Sequence, residues 1–395
     1  MIQRDYLIIG AGIGGACACE AIRKHDKRGS VTLVGAEAYA PYKRWLLSKS
    51  FLREKTLVPR KYAEVDERWY PAHKIDARFN TAVTQLNIDR RVAVLGNGES
   101  VEFNKACLAM GSRPGRPPVA GVGLGNVIYL RSMRDAFALR EMAEHEKNVM
   151  VVGGGLLACE VAASLRQMKM KMKVSVMHRH GTLLNRYLDF ETATWVTGYF
   201  AKNGVTLLLG ESLNGFEGKT VLRNIQTKSG NRVAAGLAVV ACGGEPNLDL
   251  VRNTPLSGPH GSPVNDYLET EEKGIYAIGD LAFYPDRLMG GMRRQTHWEN
   301  AREQGFVAGA NMTGKKRIRY EQLPYFWTEM FDLRLDFVGD FTMQPTRVDL
   351  TGTHAKKKFT ARYYQGDRLR GILISAGTPK QVESAKTELK RALGK

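Results

Sequence analysis

An α/β fold is predicted, with two copies of one strand–turn–helix–strand unit followed by a β-rich C-terminal piece. Three observations predict it: a glycine-rich turn after residue 9, a second after residue 152, and a change to strand-like pieces near residue 321. The chain has 395 residues, a length that corresponds to about two to three domains. Apolar residues make up 43% and charged residues 25%, ordinary values for a globular protein. The 41 glycines stand beside only 14 prolines and follow no Gly-X-Y period, which excludes a collagen-like chain and points to loops where backbone approaches something closely.

The first unit opens with the apolar run Tyr6-Leu7-Ile8-Ile9, which ends in Gly10-Ala11-Gly12-Ile13-Gly14-Gly15. An alanine-rich helical stretch runs to about His25, Gly29 can stop it, and Val31-Thr32-Leu33-Val34 forms a second buried strand. This is the βαβ unit in which a GxGxxG turn binds a pyrophosphate. Gly10 and Gly12 let backbone N–H groups reach the phosphates, Gly14 and Gly15 sit where the helix begins, and Gly15 lets that helix pack on the strand. The helix N-terminus offers its unpaired donors and the positive end of its dipole to the anion. Glu37 follows the second strand, where a carboxylate can accept hydrogen bonds from ribose hydroxyls.

The second unit repeats the grammar. Val149-Met150-Val151-Val152 leads into Gly153-Gly154-Gly155, a helix runs from there to about Met168, and Val174-Ser175-Val176-Met177 is the next strand. Ala158 stands where the third glycine of the fingerprint falls. One such turn is weak evidence, but two, each between strand and helix, predict two bound dinucleotides. The second strand ends in His178-Arg179-His180 with no acid. A carboxylate there grips the 2′-hydroxyl of NAD, whereas arginine accommodates a 2′-phosphate. Arg179, with Arg186 nearby, therefore predicts NADPH over NADH.

Tyr276-Ala277-Ile278-Gly279-Asp280 reads as a strand ending in Gly-Asp, able to turn its carboxylate toward a flavin's hydroxyls. Phe359–Tyr363 and Gly371–Ile374 read as strands, and Pro379 to about Leu393 as a charged terminal helix. The five cysteines, Cys17, Cys19, Cys107, Cys159 and Cys242, include no Cys-x-x-Cys and form no disulfide framework, so zinc ribbons are unsupported and no metal is expected. No uncharged run of about 18 apolar residues occurs, so no membrane span is expected and a cytoplasmic location is.

With these motifs in hand, the chain resembles the FAD-dependent pyridine nucleotide oxidoreductases, in the branch of ferredoxin reductase, putidaredoxin reductase and apoptosis-inducing factor. The matching segments are Gly10–Gly15, Pro41–Lys49, Ala109–Pro114, Gly153–Glu160, Gly274–Asp280, His297–Ala301 and Tyr325–Thr328. The resemblance implies two Rossmann-like dinucleotide-binding domains, for FAD and NADP(H), plus a C-terminal α+β domain. It divides the chain into a first FAD-binding part over 1–113, an NAD(P)H-binding domain over 114–243, an FAD return segment over 244–320 and a C-terminal β-rich domain over 321–395. It places Arg44, Lys49, Val83, Arg131, Asp280, Trp298 and Trp327 at the FAD, with Lys49 near the isoalloxazine N5 and Glu160 as that lysine's partner. Two departures are visible: Trp45-Leu46 stands where the branch has Pro-Pro, and Ala36 stands where it has an acid, one place before Glu37.

The chemistry implied is hydride transfer from NADPH to the flavin, which needs ring orientation more than an acid or base. Lys49 and Glu160 are the expected catalytic pair, a cation beside the reduced flavin and the carboxylate that holds it. No cysteine lies between Cys19 and Cys107, so electrons are expected to leave the flavin without thiol chemistry, toward a ferredoxin-like iron–sulfur carrier. The formal net charge of +18 fits an acidic carrier steered by basic surface. The basic runs are Lys169, Lys171 and Lys173; Lys315, Lys316, Arg317 and Arg319; and Lys356, Lys357 and Lys358. No nucleic-acid motif accompanies them, and monomer and homodimer stay open. The alternatives are a slowly turning, redox-regulated protein like apoptosis-inducing factor, or a reductase of rubredoxin or a small quinone-like acceptor.

Overall fold

The computed structural model describes residues 1–54, 58–168 and 172–394. Two compact units make up the chain. One comprises Met1–Lys43, Val58–Arg113 and Glu245–Leu323, and the other Arg44–Leu57, Pro114–Gly244 and Pro324–Lys395. The segment from Arg44 groups with the second unit because its side chains bind there: the Phe51 and Phe137 rings meet edge to face at 5.2 Å, and the Arg44 guanidinium donates to the Arg131 carbonyl.

The first unit is built on a seven-stranded sheet in the order Ile75–Arg78, Val31–Val34, Ile2–Ile9, Ser100–Leu108, Val92–Leu95, Val83–Asn87, with Ile275–Ala277 also pairing to Ser100–Leu108. Ile9 pairs in parallel register with both Val34 and Leu108, and Leu108 with Ala277. Four strands thus end at one edge of the sheet, the edge where open α/β sheets take ligands. The first strand starts four residues earlier than the apolar run indicates, because Ile2, Gln3 and Arg4 pair with Val101, Glu102 and Phe103 and the polar side chains are bonded: Arg4 to Thr32 and Asp76, and Asp5 to Ser30.

The helix Ile13–His25 packs on the strand through Gly15, where a Cβ would stand 2.1 Å from the Gly10 carbonyl oxygen. Its other face takes the helix Trp298–Met312. Gly305 and Gly309 make that approach: added Cβ atoms would stand 2.4 Å from the carbonyl oxygens of Gly14 and Ala18. The sheet residues Leu7, Ile8, Leu33, Ala106, Cys107 and Leu108 are wholly inaccessible. Truncating such a leucine to alanine costs about 2–5 kcal/mol.

The second unit holds a five-stranded parallel sheet in the order Thr206–Leu209, Lys173–His178, Asn148–Val152, Leu237–Val240, Val127–Ile128. An antiparallel five-stranded sheet follows from Tyr325 to Ser375, in the order Tyr325–Met330, Leu333–Gly339, Arg368–Ser375, Lys358–Gln365, Arg347–Thr353. The helix Pro379–Ala392 ends the chain, with Pro379 at its first position and Thr378 and Gln381 forming a reciprocal cap. The fold is therefore α/β with two Rossmann-like units and a C-terminal α+β domain. Among the described residues no helix is long and apolar enough to cross a membrane.

Candidate functional site

In the first unit the glycine turn leaves the sheet at Ile9. Gly10 has φ +117°, a conformation that strains any L side chain, and a Cβ there would stand 2.2 Å from the Ala109 carbonyl oxygen. Gly12 caps the helix without any side-chain hydrogen bond, and nothing lies within 4 Å of where its Cβ would be. No side-chain cap competes for the first-turn N–H groups. That vacancy around Gly12 is what a pyrophosphate requires, so the cradle fits a dinucleotide.

Around this turn the structure gathers four further expected contacts. Glu37 follows the second strand, and its carboxylate accepts from the Tyr42 hydroxyl at 2.6 Å. Val83 opens its strand just past Asn80 and Thr81, whose N–H groups donate to the Glu37 and Gly35 carbonyls. Asp280 lies in a short 3-10 turn after Ile275–Ala277, where its carboxylate accepts from the Ser112 hydroxyl at 2.6 Å. The Gln304 amide oxygen accepts from the Gly279 N–H, locking that turn to the helix Trp298–Met312. Trp298 opens the same helix, and its indole N–H donates to Glu64 at 2.7 Å. Burial raises the Glu64 carboxyl while that donor opposes the rise. Neighbouring His297 is pushed down to about 4 by burial, against the pull of Asp280, so its imidazole is neutral at physiological pH.

In the second unit the same construction recurs. Gly153 has φ +132°, and Gly155 caps the helix Leu156–Gln167 with no side-chain bond and open space around it. That opening likewise fits a dinucleotide's phosphates. The His178 ring covers Gly154, where a Cβ would stand 2.4 Å from it. Its Nε2 pairs with the Asn185 carboxamide oxygen at 3.0 Å, and burial lowers its pKa. Arg179 is exposed at the strand end and donates through Nε to His180 Nε2 at 3.1 Å. Arg186 is exposed one residue beyond Asn185.

The remaining expected residues, Arg44, Lys49, Arg131, Glu160 and Trp327, lie in the second unit, where Lys49 and Glu160 form a buried ion pair. Lys49 Nζ lies 2.7 Å from Glu160 Oε1, with side chains only 5% and 9% exposed. Glu160 comes from the first turns of the helix Leu156–Gln167, so the glycine turn that fits a dinucleotide also sets the height of this carboxylate. Lys49 Nζ also donates to the Trp45 carbonyl at 3.1 Å. The Trp45 and Trp327 rings meet edge to face at 5.6 Å, so the tryptophan that departs from the family's Pro-Pro packs against an expected flavin contact. Arg44 Nη1 donates to the Arg131 carbonyl at 2.8 Å, bringing those two together. Arg131 lies just before the helix Met133–His145, whose Ser132–Asp135 cap fixes its backbone.

Sequence reasoning missed the hydroxyls around this pair. Ser48 Oγ donates to Glu160 Oε2 at 2.5 Å and Thr328 Oγ1 to Glu160 Oε1 at 2.8 Å. Both lie within recognised segments, but a Ser or Thr in a one-dimensional motif carries no sign of which carboxylate it will reach.

Of the basic runs, Lys169 and Lys171 lie outside the described residues, while Lys173 is exposed. Lys315 caps the His25 carbonyl, Arg317 and Arg319 lie against Tyr267, and Lys357 pairs with Asp332. Cys17, Cys19, Cys107 and Cys159 are buried and only Cys242 is exposed. Burial raises the thiols of all four buried cysteines, that of Cys19 to about 12. Cys242→Ser is therefore expected to leave the protein inert to alkylating reagents near neutral pH and to change the expected hydride-transfer turnover by no more than about twofold. Mass spectrometry of the treated protein and a turnover assay check both.

A family profile described as pyridine nucleotide-disulphide oxidoreductase matches residues 4–305. The ferredoxin reductase component of chlorobenzene dioxygenase from Cupriavidus sp. (strain PS12) is 33% identical over 333 residues, covering 84% of this chain and 80% of that protein. The ferredoxin–NAD(+) reductase subunit of the benzene 1,2-dioxygenase system of Pseudomonas putida is 31% identical over the same shares. Among solved structures, the covalent putidaredoxin reductase–putidaredoxin complex superposes with a TM-score of 0.91 at 26% identity, covering 99% of this chain and 94% of that one.

Proposed function

Because the chain belongs to the pyridine nucleotide-disulphide oxidoreductase family and is an FAD-dependent reductase using a nicotinamide nucleotide, we propose that it passes electrons from NADPH to an acidic, ferredoxin-type iron–sulfur protein. The observation that carries this is the pair of glycine turns at strand ends, each opening a helix whose N-terminus no side chain caps. FAD held at the first turn would supply two-electron acceptance from a nicotinamide and one-electron release, the conversion an iron–sulfur carrier needs.

The residues divide the tasks. The turn Gly10–Gly15 receives the FAD pyrophosphate, Glu37 and Val83 serve its adenosine end, and Asp280 its ribityl side, where the Ser112 hydroxyl fixes the carboxylate. Gly153 and Gly155 receive the phosphates of NADPH, and Arg179 with Arg186 receives its 2′-phosphate. Lys49 supplies positive charge to the flavin ring, and Glu160 holds that ammonium in place. Arg44, Arg131, Trp298 and Trp327 complete the flavin contacts. The domain roles follow: 1–113 and 244–320 hold FAD, 114–243 holds the coenzyme, and 321–395 forms the C-terminal domain.

The relatives that support a ferredoxin acceptor are named for that activity, and the net charge of +18 supports an acidic one. Anaerobic titration with NADPH and with NADH, followed by a panel of ferredoxins, rubredoxin, quinones and O₂, tests the proposal. Bleaching by NADPH with rapid turnover of a ferredoxin is the expected result. Bleaching that only quinones or O₂ reverse would reassign the acceptor. Steering by exposed cations predicts that kcat/KM for the carrier falls about tenfold or more between low salt and about 0.5 M salt, as the Debye length shrinks to a few ångström. A rate indifferent to salt would remove electrostatic steering from the proposal.

A further inference from the structure

We propose that Thr328 and Ser48 are positioning residues for flavin reduction, their hydroxyls holding the Glu160 carboxylate in the one orientation that keeps the Lys49 ammonium in place. This rests on the reductase assignment above and extends the chemistry to residues that act through Glu160. The geometry is closed on every side. Glu160 Oε1 accepts from Lys49 Nζ at 2.7 Å and from Thr328 Oγ1 at 2.8 Å, and Oε2 accepts from Ser48 Oγ at 2.5 Å. Thr328 is 0% exposed, Ser48 3%, Lys49 4% and Glu160 7%.

Three segments of the second unit supply these groups: the stretch ending in Lys49, the helix Leu156–Gln167, and the strand Tyr325–Met330. The helix is tied to the first of these again one turn on, where Ser164 Oγ donates to the Ser48 carbonyl at 2.7 Å. A buried ion pair repays its desolvation only when its remaining lone pairs are satisfied. Lys49 alone leaves Oε2 bare, and Ser48 covers it. Thr328 acts differently. It shares Oε1 with the lysine, and its β-branched side chain has few rotamers in a strand, so the direction of its hydroxyl is fixed by the sheet. Packing alone would be served as well by valine, which has the same shape without the donor. The hydroxyl marks a requirement for aim.

The C-terminal sheet thereby enters the chemistry. Through Thr328 it sets the orientation of a carboxylate that belongs to the coenzyme helix, and through that carboxylate the position of a cation from a third segment.

Thr328→Val, Thr328→Ser and Ser48→Ala in the FAD-loaded full chain test this with two readouts. Stopped flow under anaerobic conditions gives the limiting rate of flavin reduction and the half-saturating NADPH concentration. Trace acetic anhydride followed by peptide mass spectrometry gives the reactivity of Lys49 in the oxidised protein, with no turnover involved. Thr328→Val is expected to lower the limiting rate about tenfold with half-saturation unchanged, and to raise Lys49 acetylation several-fold. Ser48→Ala moves both in the same directions, and Thr328→Ser restores both to within about threefold of wild type.

Rates and labelling of Thr328→Val equal to wild type would overturn the inference. So would equal impairment of the Val and Ser variants, or loss of FAD in step with the rate while Lys49 labelling stays constant, since each assigns Thr328 to packing. Wild-type protein that neither NADPH nor NADH reduces would sink the reductase assignment instead. The labelling arm would then still report whether the hydroxyls hold Lys49.

Discussion

Glu160→Ala is expected to slow reduction of the bound flavin by NADPH about a hundredfold, the size of effect seen when one preorganised electrostatic group is removed from an active site. The substitution strips Lys49 of its charged partner and leaves it with the carbonyl and ring of Trp45. An uncompensated buried ammonium costs about 3–5 kcal/mol, so the lysine is expected to leave its position, and the cation proposed for the flavin goes with it. Two hydroxyls, Ser48 and Thr328, lose their acceptor at the same moment. Glu160→Gln separates charge from shape. It keeps an acceptor for the lysine and should fold where the alanine variant is marginal, with a loss nearer tenfold. Stopped-flow reduction on preparations matched for FAD content reads both values. Wild-type rates in the two variants would take Lys49 and Glu160 out of the reaction.

Arg179→Glu should reverse the choice of coenzyme, lowering kcat/KM for NADPH about a hundredfold and raising that for NADH. The guanidinium is at the end of Lys173–His178, exposed, with Nε engaged by His180 at 3.1 Å. Its two terminal nitrogens can therefore fork onto a 2′-phosphate, a geometry lysine cannot copy. Glutamate at that position repels the phosphate and offers acceptors to two ribose hydroxyls. The benzene dioxygenase relative carries NAD(+) in its name, which makes the measurement decisive for this chain. A wild-type preference for NADH of tenfold or more would turn Arg179 into an ordinary surface cation.

The scaffold was legible wherever a periodic pattern met punctuation. The alanine-rich stretch to about His25 and the strand Val31-Thr32-Leu33-Val34 could be read directly, and the structure has the helix Ile13–His25, closed at Asp26 ahead of Gly29, and the strand Val31–Val34. The front of the first strand was not legible, because Gln3, Arg4 and Asp5 are polar and join the sheet only through partners about a hundred residues or more than twenty residues away. The same distinction holds at the candidate site. Lys49 and Glu160 could be matched to motif positions, and their pairing came only with the resemblance, since it joins segments 111 residues apart and is a product of the fold. Thr328 could not be tied to them at all, since its strand is specified by pairing with Leu333–Gly339 and nothing local names its target. The ring contact between Trp45 and Trp327 belongs to the same class.

The first unit is assembled from three separated stretches of chain, the last running from Glu245 to Leu323. That last stretch supplies Ile275–Ala277 beside Ser100–Leu108 and the helix that lies on Ile13–His25 through Gly305 and Gly309. During synthesis the opening strands and the first glycine turn must therefore wait, with one sheet edge and one helix face bare, while the whole of Pro114–Gly244 is made. That intervening stretch carries its own parallel sheet and can fold in the interval, whereas the opening stretch is of high contact order and closes late. Exposed apolar surface at Ala18, Ala106 and Leu108 is then the hazard of the nascent state, and the ligand cradle around Gly12 is completed only when the polypeptide has passed Met312.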